Sequence, residues 1–140
     1  MEITEALADC IMRFEGWFPP GSRGISIKGS TSWRNRNPGN LRPYIESQRR
    51  DDKGYRIFDN LNDGWYALLL DIEKKLTGKS THNLTPQSTL HDFFNIYAPF
   101  TDNNDPQQYS RVIAGELNLI YNTNLITPDT KLEDLMKLGQ

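Results

Sequence analysis

The chain has 140 residues, 36% of them hydrophobic and 24% charged, with a net charge of −2. That length holds one ordinary domain with a real core and excludes two. No apolar stretch approaches the roughly 20 residues of a membrane-spanning helix, and a lone Cys10 excludes an internal disulfide framework.

The N-terminus MEITEALADC lacks the basic start and apolar core of a secretory leader. The expectation is cytoplasmic synthesis, with either work in the cytoplasm or passage across a membrane by another route. Ile3, Ala6, Leu7, Cys10, Ile11 and Phe14 recur at helical spacing, with Thr4 or Glu2 near the start. They predict a first helix ending between Phe14 and Gly16, with Cys10 a buried thiol on its apolar face. Residues 16 to 62 hold ten Gly and Pro residues and no helical period. They read as loops with short strands at Ile25 to Lys28, Leu41 to Tyr44 and Tyr55 to Phe58.

Helices dominate afterwards. Asn62 or Asp63 caps one that carries Trp65, Leu68, Leu69, Ile72 and Leu76 and that Gly78 stops. Ser88 or Thr89 caps another with Leu90, Phe93, Phe94 and Tyr97, ended before Pro99. Asp105-Pro106, a cap and a first-turn proline, opens a helix with Tyr109, Val112, Ile113 and Leu117. A last short helix carries Leu132, Leu135 and Met136. The fold class is therefore mainly α (α+β): one domain over residues 1–140, a helical body with a small irregular or β-containing lobe after the first helix.

Charge is unevenly spread. Residues 21 to 56 hold nine Lys or Arg and three acids, a local charge of +6, which leaves −8 on the remainder. Such a basic lobe is either a site for a carboxylate-bearing or polyanionic ligand or a solvated loop region. A pI of 5.7 and the lack of a basic helix argue against a nucleic-acid partner.

Glu15, in IMRFEGWFPPG, is the residue best placed for chemistry. It ends the first helix, and Phe14, Trp17 and Phe18 offer apolar walls. Desolvation disfavours a charged carboxylate, so an acid in such a place can keep its proton near neutral pH and act as a general acid. The run RNRNPGNLRP supplies amide and guanidinium donors: Arg34, Asn35, Arg36, Asn37, Asn40 and Arg42. Asn-Pro-Gly-Asn is a turn signal in its own right. The same donors suit sugar hydroxyls, acetamido groups or carboxylates, with Trp33 as a stacking platform. In NIYAPFTDNNDPQQY, Tyr97 ends one helix and Tyr109 lies one turn into the next. Asp105 reads as a cap rather than part of a calcium loop, because Pro106 interrupts the segment and no terminal glutamate follows. His82 and His91 lack zinc-spaced partners, and there is no phosphate loop, dinucleotide fingerprint or nucleophile elbow. No cofactor or metal is expected.

Taken together, the FEGW helix end, SWRNRNPGNLR, YRIFDNLNDGWYALLLDI and YAP–DNNDPQQY resemble the phage and bacterial lysozyme-like, lytic-transglycosylase-related proteins, over about Ile11 to Val112. The resemblance implies a lysozyme-like domain that cleaves peptidoglycan glycan strands. Glu15 would be the catalytic acid and Tyr97 its partner. It places substrate binding on the aromatics Trp17, Trp33 and Tyr109 and on the loop residues Arg36, Asn37, Asn40, Leu41 and Arg42. It implies action at the cell wall or periplasm or in a virion, without stable membrane insertion, by a monomer. Phage muramidases of this kind pair their glutamate with a nearby aspartate, but here Gly16 to Ile45 holds no acid. A second carboxylate would come from Asp51, Asp52, Asp59 or Asp63. Otherwise a single acid serves, assisted by the substrate's own N-acetyl group, with lyase and hydrolase outcomes both open. The alternative is a lysozyme-like module that binds peptidoglycan, or builds a virion, without cleaving.

Overall fold

Most of the apolar stripe of the N-terminal segment folds as expected: α1 spans Ile3–Phe14, and Ile3, Ala6, Leu7, Cys10 and Ile11 are buried, while Phe14, at the helix end, is exposed. The computed structural model describes residues 1–21, 28–80, 82–99 and 103–140. Those residues are mainly helical, with α2 (Thr31–Arg34), α3 (Leu61–Leu76), α4 (Leu90–Tyr97), α5 (Pro106–Tyr121) and α6 (Leu132–Leu135) following α1. None of these helices is long and apolar enough to cross a membrane. The chain divides into two compact units: Met1–Cys10 with Asp71–Gln140, and Ile11–Leu70.

The first unit is an apolar helical body. The start of α1 and the end of α3 bring Leu7, Cys10, Ile72 and Leu76 into its interior. Thr89 caps α4 in a capping box with Asp92, and Asp105 caps α5 ahead of Pro106. α4 packs on α5 through an aromatic cluster, in which Phe94 stacks on Tyr109 with centroids 4.3 Å apart and meets Phe93 edge-on at 4.9 Å. Asn118 accepts from Ile126 N and donates to Ile126 O, which fastens the loop after α5. α6 follows an isolated bridge between Thr89 and Lys131.

The second unit is held differently. Its buried set includes Ile11, Phe58 and Leu68 but also the polar side chains Ser32, Asn35 and Asn37. The expected strand at Ile25 to Lys28 falls on residues outside the described set, apart from Lys28, which lies in a turn. The expected strand at Leu41 to Tyr44 is irregular, and Tyr55 to Phe58 contributes a single bridge, Arg50 to Arg56. The cause is visible in the hydrogen bonds. Arg56 N donates to Leu41 O, Ile57 N to Arg49 O and Phe58 N to Asn35 O, so three successive residues bond to three different segments. No partner runs alongside long enough to make a ladder.

The cap of α3 lies two or three residues before the expected Asn62 or Asp63. Asn60 caps it: Asn60 Oδ1 accepts from Asp63 N at 2.9 Å, and Asn60 Nδ2 donates to Asp63 Oδ2 at 3.1 Å. The far end stops at Gly78, in the left-handed region with φ 74°. α2, which the sequence reading missed, is a single turn capped by Ser30, whose hydroxyl accepts from Trp33 N.

Candidate functional site

The FEGW run is a helix stop with defined geometry. Glu15 N still donates to Ile11 O, while Gly16 N donates to Arg13 O and Trp17 N reaches back to Met12 O. Gly16 has φ 80°. Together these make a Schellman motif with Glu15 at the C-cap and Gly16 in the left-handed position that suits glycine. The motif fixes Glu15 at the end of α1, half-buried, with Trp17 and Phe18 half-buried just beyond it. The next segment is stapled in place. Phe18 N donates to the Ser30 hydroxyl, Ser30 N to Phe18 O, and the Ser32 hydroxyl to Gly16 O.

The NPGN turn supplies the partner. Asn40 N donates to Asn37 O across Pro38-Gly39, and Asn40 adopts φ 48°. From that left-handed position Asn40 Nδ2 donates to Glu15 Oε1 at 3.0 Å. Asn40 Oδ1 is shielded from solvent and has no hydrogen-bond partner among the described residues. An acid and an amide are thus joined, with one acceptor on the amide left over.

The other loop candidates separate by orientation. Asn37 is fully buried, donating to Leu41 O and Arg56 O and accepting from Leu41 N, each at 2.9 Å. Its amide is committed to the main chain, so the reading of Asn37 as a binding residue is corrected: it holds the turn that carries Asn40. Leu41 is half-buried, and its N–H and C=O serve that same network. Arg36 is exposed with φ 50°, and the Arg42 guanidinium lies 4.5 Å from the Tyr55 ring centroid and donates to Lys53 O. Trp33 is half-buried, its ring against the Cα of Gly29.

Tyr97 and Tyr109 belong to the helical unit. Tyr109 is 1% exposed and stacked on Phe94, which makes it a core ring and corrects its assignment to substrate binding. Tyr97 is half-buried, and Lys75 Nζ lies 5.7 Å from its ring centroid. Asp105 is the cap of α5. Asp102 and Arg23 lie outside the described residues.

Three of the carboxylates considered as second acids have structural partners. Asp51 accepts from Asn35 Nδ2, Lys53 N and Tyr55 N. Burial opposes its ionisation, but the hydrogen bonds from Asn35 and from three backbone amides outweigh that and hold its carboxyl below the usual carboxylate range. Asp59 pairs with Arg49 at 3.2 Å on the surface, Asp63 closes the α3 cap, and Asp52 is exposed.

Asn35, expected among the ligand-binding donors, is buried and instead ties α2 to the Asp51 turn, and its spacing from Asn37, two residues on, carried no sign that both point inward. One supporting residue, Gly64, was not foreseen. A Cβ on Gly64 would enter the Arg36 carbonyl oxygen and touch the Pro38 ring, so a glycine lets the first turn of α3 lie against the NPGN turn. A glycine inside an otherwise good helical pattern was the available signal. No protein-family model, curated protein or solved structure matches this chain.

Proposed function

We propose that this protein cleaves the glycan strands of peptidoglycan with Glu15 as its single catalytic acid, in a lysozyme-like domain. The observation that carries the reading is the pair of Glu15 and Asn40. A primary amide offers both a donor and an acceptor. Asn40 Nδ2 now donates to Glu15 Oε1, while Asn40 Oδ1 is unpartnered. Rotating the amide by half a turn presents Oδ1 to the hydroxyl of a protonated Glu15. One residue can therefore support both forms of an acid that must give up a proton and later take one back.

The steps follow from that exchange. Protonated Glu15 delivers its proton to the bridging oxygen as the glycosidic bond breaks. The substrate's acetamido oxygen stabilises the developing positive centre. Carboxylate Glu15 then removes a proton, from the sugar 6-hydroxyl in a lyase or from water in a hydrolase. The partners found for Asp51, Asp59 and Asp63 support a mechanism without a second carboxylate. The half-exposed rings of Trp17 and Trp33 suit the apolar faces of sugars.

Digestion of purified peptidoglycan by wild type and Glu15→Gln, with products read by mass spectrometry, tests the reading. Anhydro-muramyl products from wild type alone mean a lyase, and reducing-end products from wild type alone mean a hydrolase. Activity retained in Glu15→Gln ends the single-acid mechanism. No product from either protein would turn the reading to a binding module.

A further inference from the structure

A cavity of about 500 Å³ lies in the Ile11–Leu70 unit, and neither Glu15 nor Asn40 lines it. One wall is the outer face of α3, where Asp63, Tyr66, Ala67 and Leu70 follow one another at helical spacing. The opposite wall is the loop around Tyr44 and the segment from Arg56 to Asp59. Tyr44 is 80% exposed and Tyr66 is 66% exposed, so two large rings stand in solvent without an internal packing reason.

Arg56 is the informative residue. Its guanidinium carbon lies 4.2 Å from the Phe58 ring centroid and 5.9 Å from that of Tyr44. Its neighbours Arg49 and Arg50 are both engaged, the first with Asp59 and the second with the carbonyls of Ile45, Glu46 and Gln48. The Arg56 guanidinium has no hydrogen bond or ion pair among the described residues, although the residue is half-buried. A planar cation stacked against a ring, with its N–H edge unused, is a ready fork for a carboxylate. Asp63, at the start of α3, puts a negative group on the other wall of the same cavity.

We propose that this cavity binds the carboxylate end of a short peptide. Arg56 takes the terminal carboxylate, Tyr44 and Tyr66 cover small apolar side chains, and Asp63 faces the peptide's N–H groups. The inference rests on the proposed function, because the peptides borne by the glycan strand are the carboxylate-bearing groups that such an enzyme meets beside the bond it cuts. The cavity then adds a contact to the peptide-bearing strand that is absent from bare glycan.

Titration of the full-length protein with N-acetyl-D-alanyl-D-alanine, followed by amide NMR shifts, tests this. Shifts are expected at Tyr44 to Arg49, Arg56 to Asp59 and Asp63 to Leu70. Capping the peptide as its C-terminal amide, or Arg56→Gln, is expected to weaken binding about tenfold, the loss typical of one charge-assisted bond. Because Arg56 also stacks on Phe58, Tyr66→Ser serves as the second variant: its exposed ring leaves the fold intact, and binding should fall about threefold, in line with a modest aromatic contact. Equal binding of the amide, shifts caused at these residues by chitotriose instead, or no shift there at all would overturn the proposal. Digestion of glycan stripped of its peptides separates the two readings. Peptide binding without digestion would sink the enzyme and keep the cavity, and digestion without peptide binding would do the reverse.

Discussion

Replacing Asn40 by glycine removes the amide from Glu15 and leaves the backbone at ease, because glycine accepts the φ of 48° found there. The lost bond, 3.0 Å from Asn40 Nδ2 to Glu15 Oε1, joins an amide to an ionisable group. Hydrogen bonds to charged groups contribute roughly 1.5–3 kcal/mol, which corresponds to a loss of about ten- to 150-fold in kcat/KM if the bond acts in the transition state. Stability should change by less than about 1 kcal/mol, since the variant also removes the unpartnered Oδ1. Asn40→Ala makes the control. It removes the same amide but keeps a Cβ in the left-handed region, roughly 1 kcal/mol less favourable there than glycine. The two variants should therefore share one catalytic defect and differ in urea midpoint. The assay is the initial rate of peptidoglycan solubilisation against substrate concentration, with urea unfolding beside it. A kcat/KM for Asn40→Gly within about twofold of wild type, while Glu15→Gln is inactive, would refute a catalytic part for the amide, because a difference that small is worth only about 0.4 kcal/mol.

Gly64→Ala should destabilise the protein by about 2 kcal/mol, although alanine in a helix interior usually gains about 1 kcal/mol over glycine, because its Cβ would strike the Arg36 carbonyl. A rise in urea midpoint would refute the close approach. The carboxyl of Asp51 is held below its ordinary value of 3.8 in the folded protein, so its contribution to stability is present above that pH and disappears as pH falls through the folded value. Asp51→Asn should therefore lower the urea midpoint at neutral pH, and the gap to wild type should close in acid; a gap independent of pH would refute the assignment. Asp52→Asn and Asp59→Asn should each keep most lytic activity, and a loss at either comparable to Glu15→Gln would establish a second carboxylate. The resemblance gives Tyr97 a part in the reaction, so Tyr97→Phe should lower kcat with little change in melting temperature, and an unchanged kcat would remove it from the site.

The helices α4 and α5 were legible because each carries two independent signals. α4 has an apolar stripe and a Thr89–Asp92 box, and α5 has its stripe and the Asp105-Pro106 start. The lobe was less legible because its order comes from side chains rather than from backbone pattern. Asn35, Asn37 and Asp51 bond to main chain or to each other across many residues, and alternation along the chain carries no trace of such bonds. The same limit explains the mixed fortunes of the candidate site. Asn37 and Asn40 are the same residue type in one turn and looked equivalent. The left-handed backbone at Asn40 turns its side chain to Glu15, while Asn37 faces inward, and composition does not encode that choice. Tyr109 failed for a related reason. An aromatic one turn into a helix suits a cleft or a core equally, and the stack on Phe94 decides for the core.

The way Glu15 is held bears on how a lone acid could work. A second carboxylate in a glycosidase usually serves as nucleophile or positions water. Here the local chain supplies an amide instead, and an amide adds no charge to compete with Glu15 for its proton. The amide is in turn held by a fully buried asparagine, a proline-glycine turn and a glycine in α3, none of which titrates. The described supports of this amide should then keep their geometry while the proton on Glu15 comes and goes. Asp51, a titrating group of the same lobe, acts at one remove through Asn35, and it changes state in acid. If the proposed cleavage runs through Glu15, Asp51→Asn should leave its neutral-pH profile in place. A neutral-pH profile that Asp51→Asn displaces while the fold survives would mean that the lobe's scaffold and its chemistry are coupled after all.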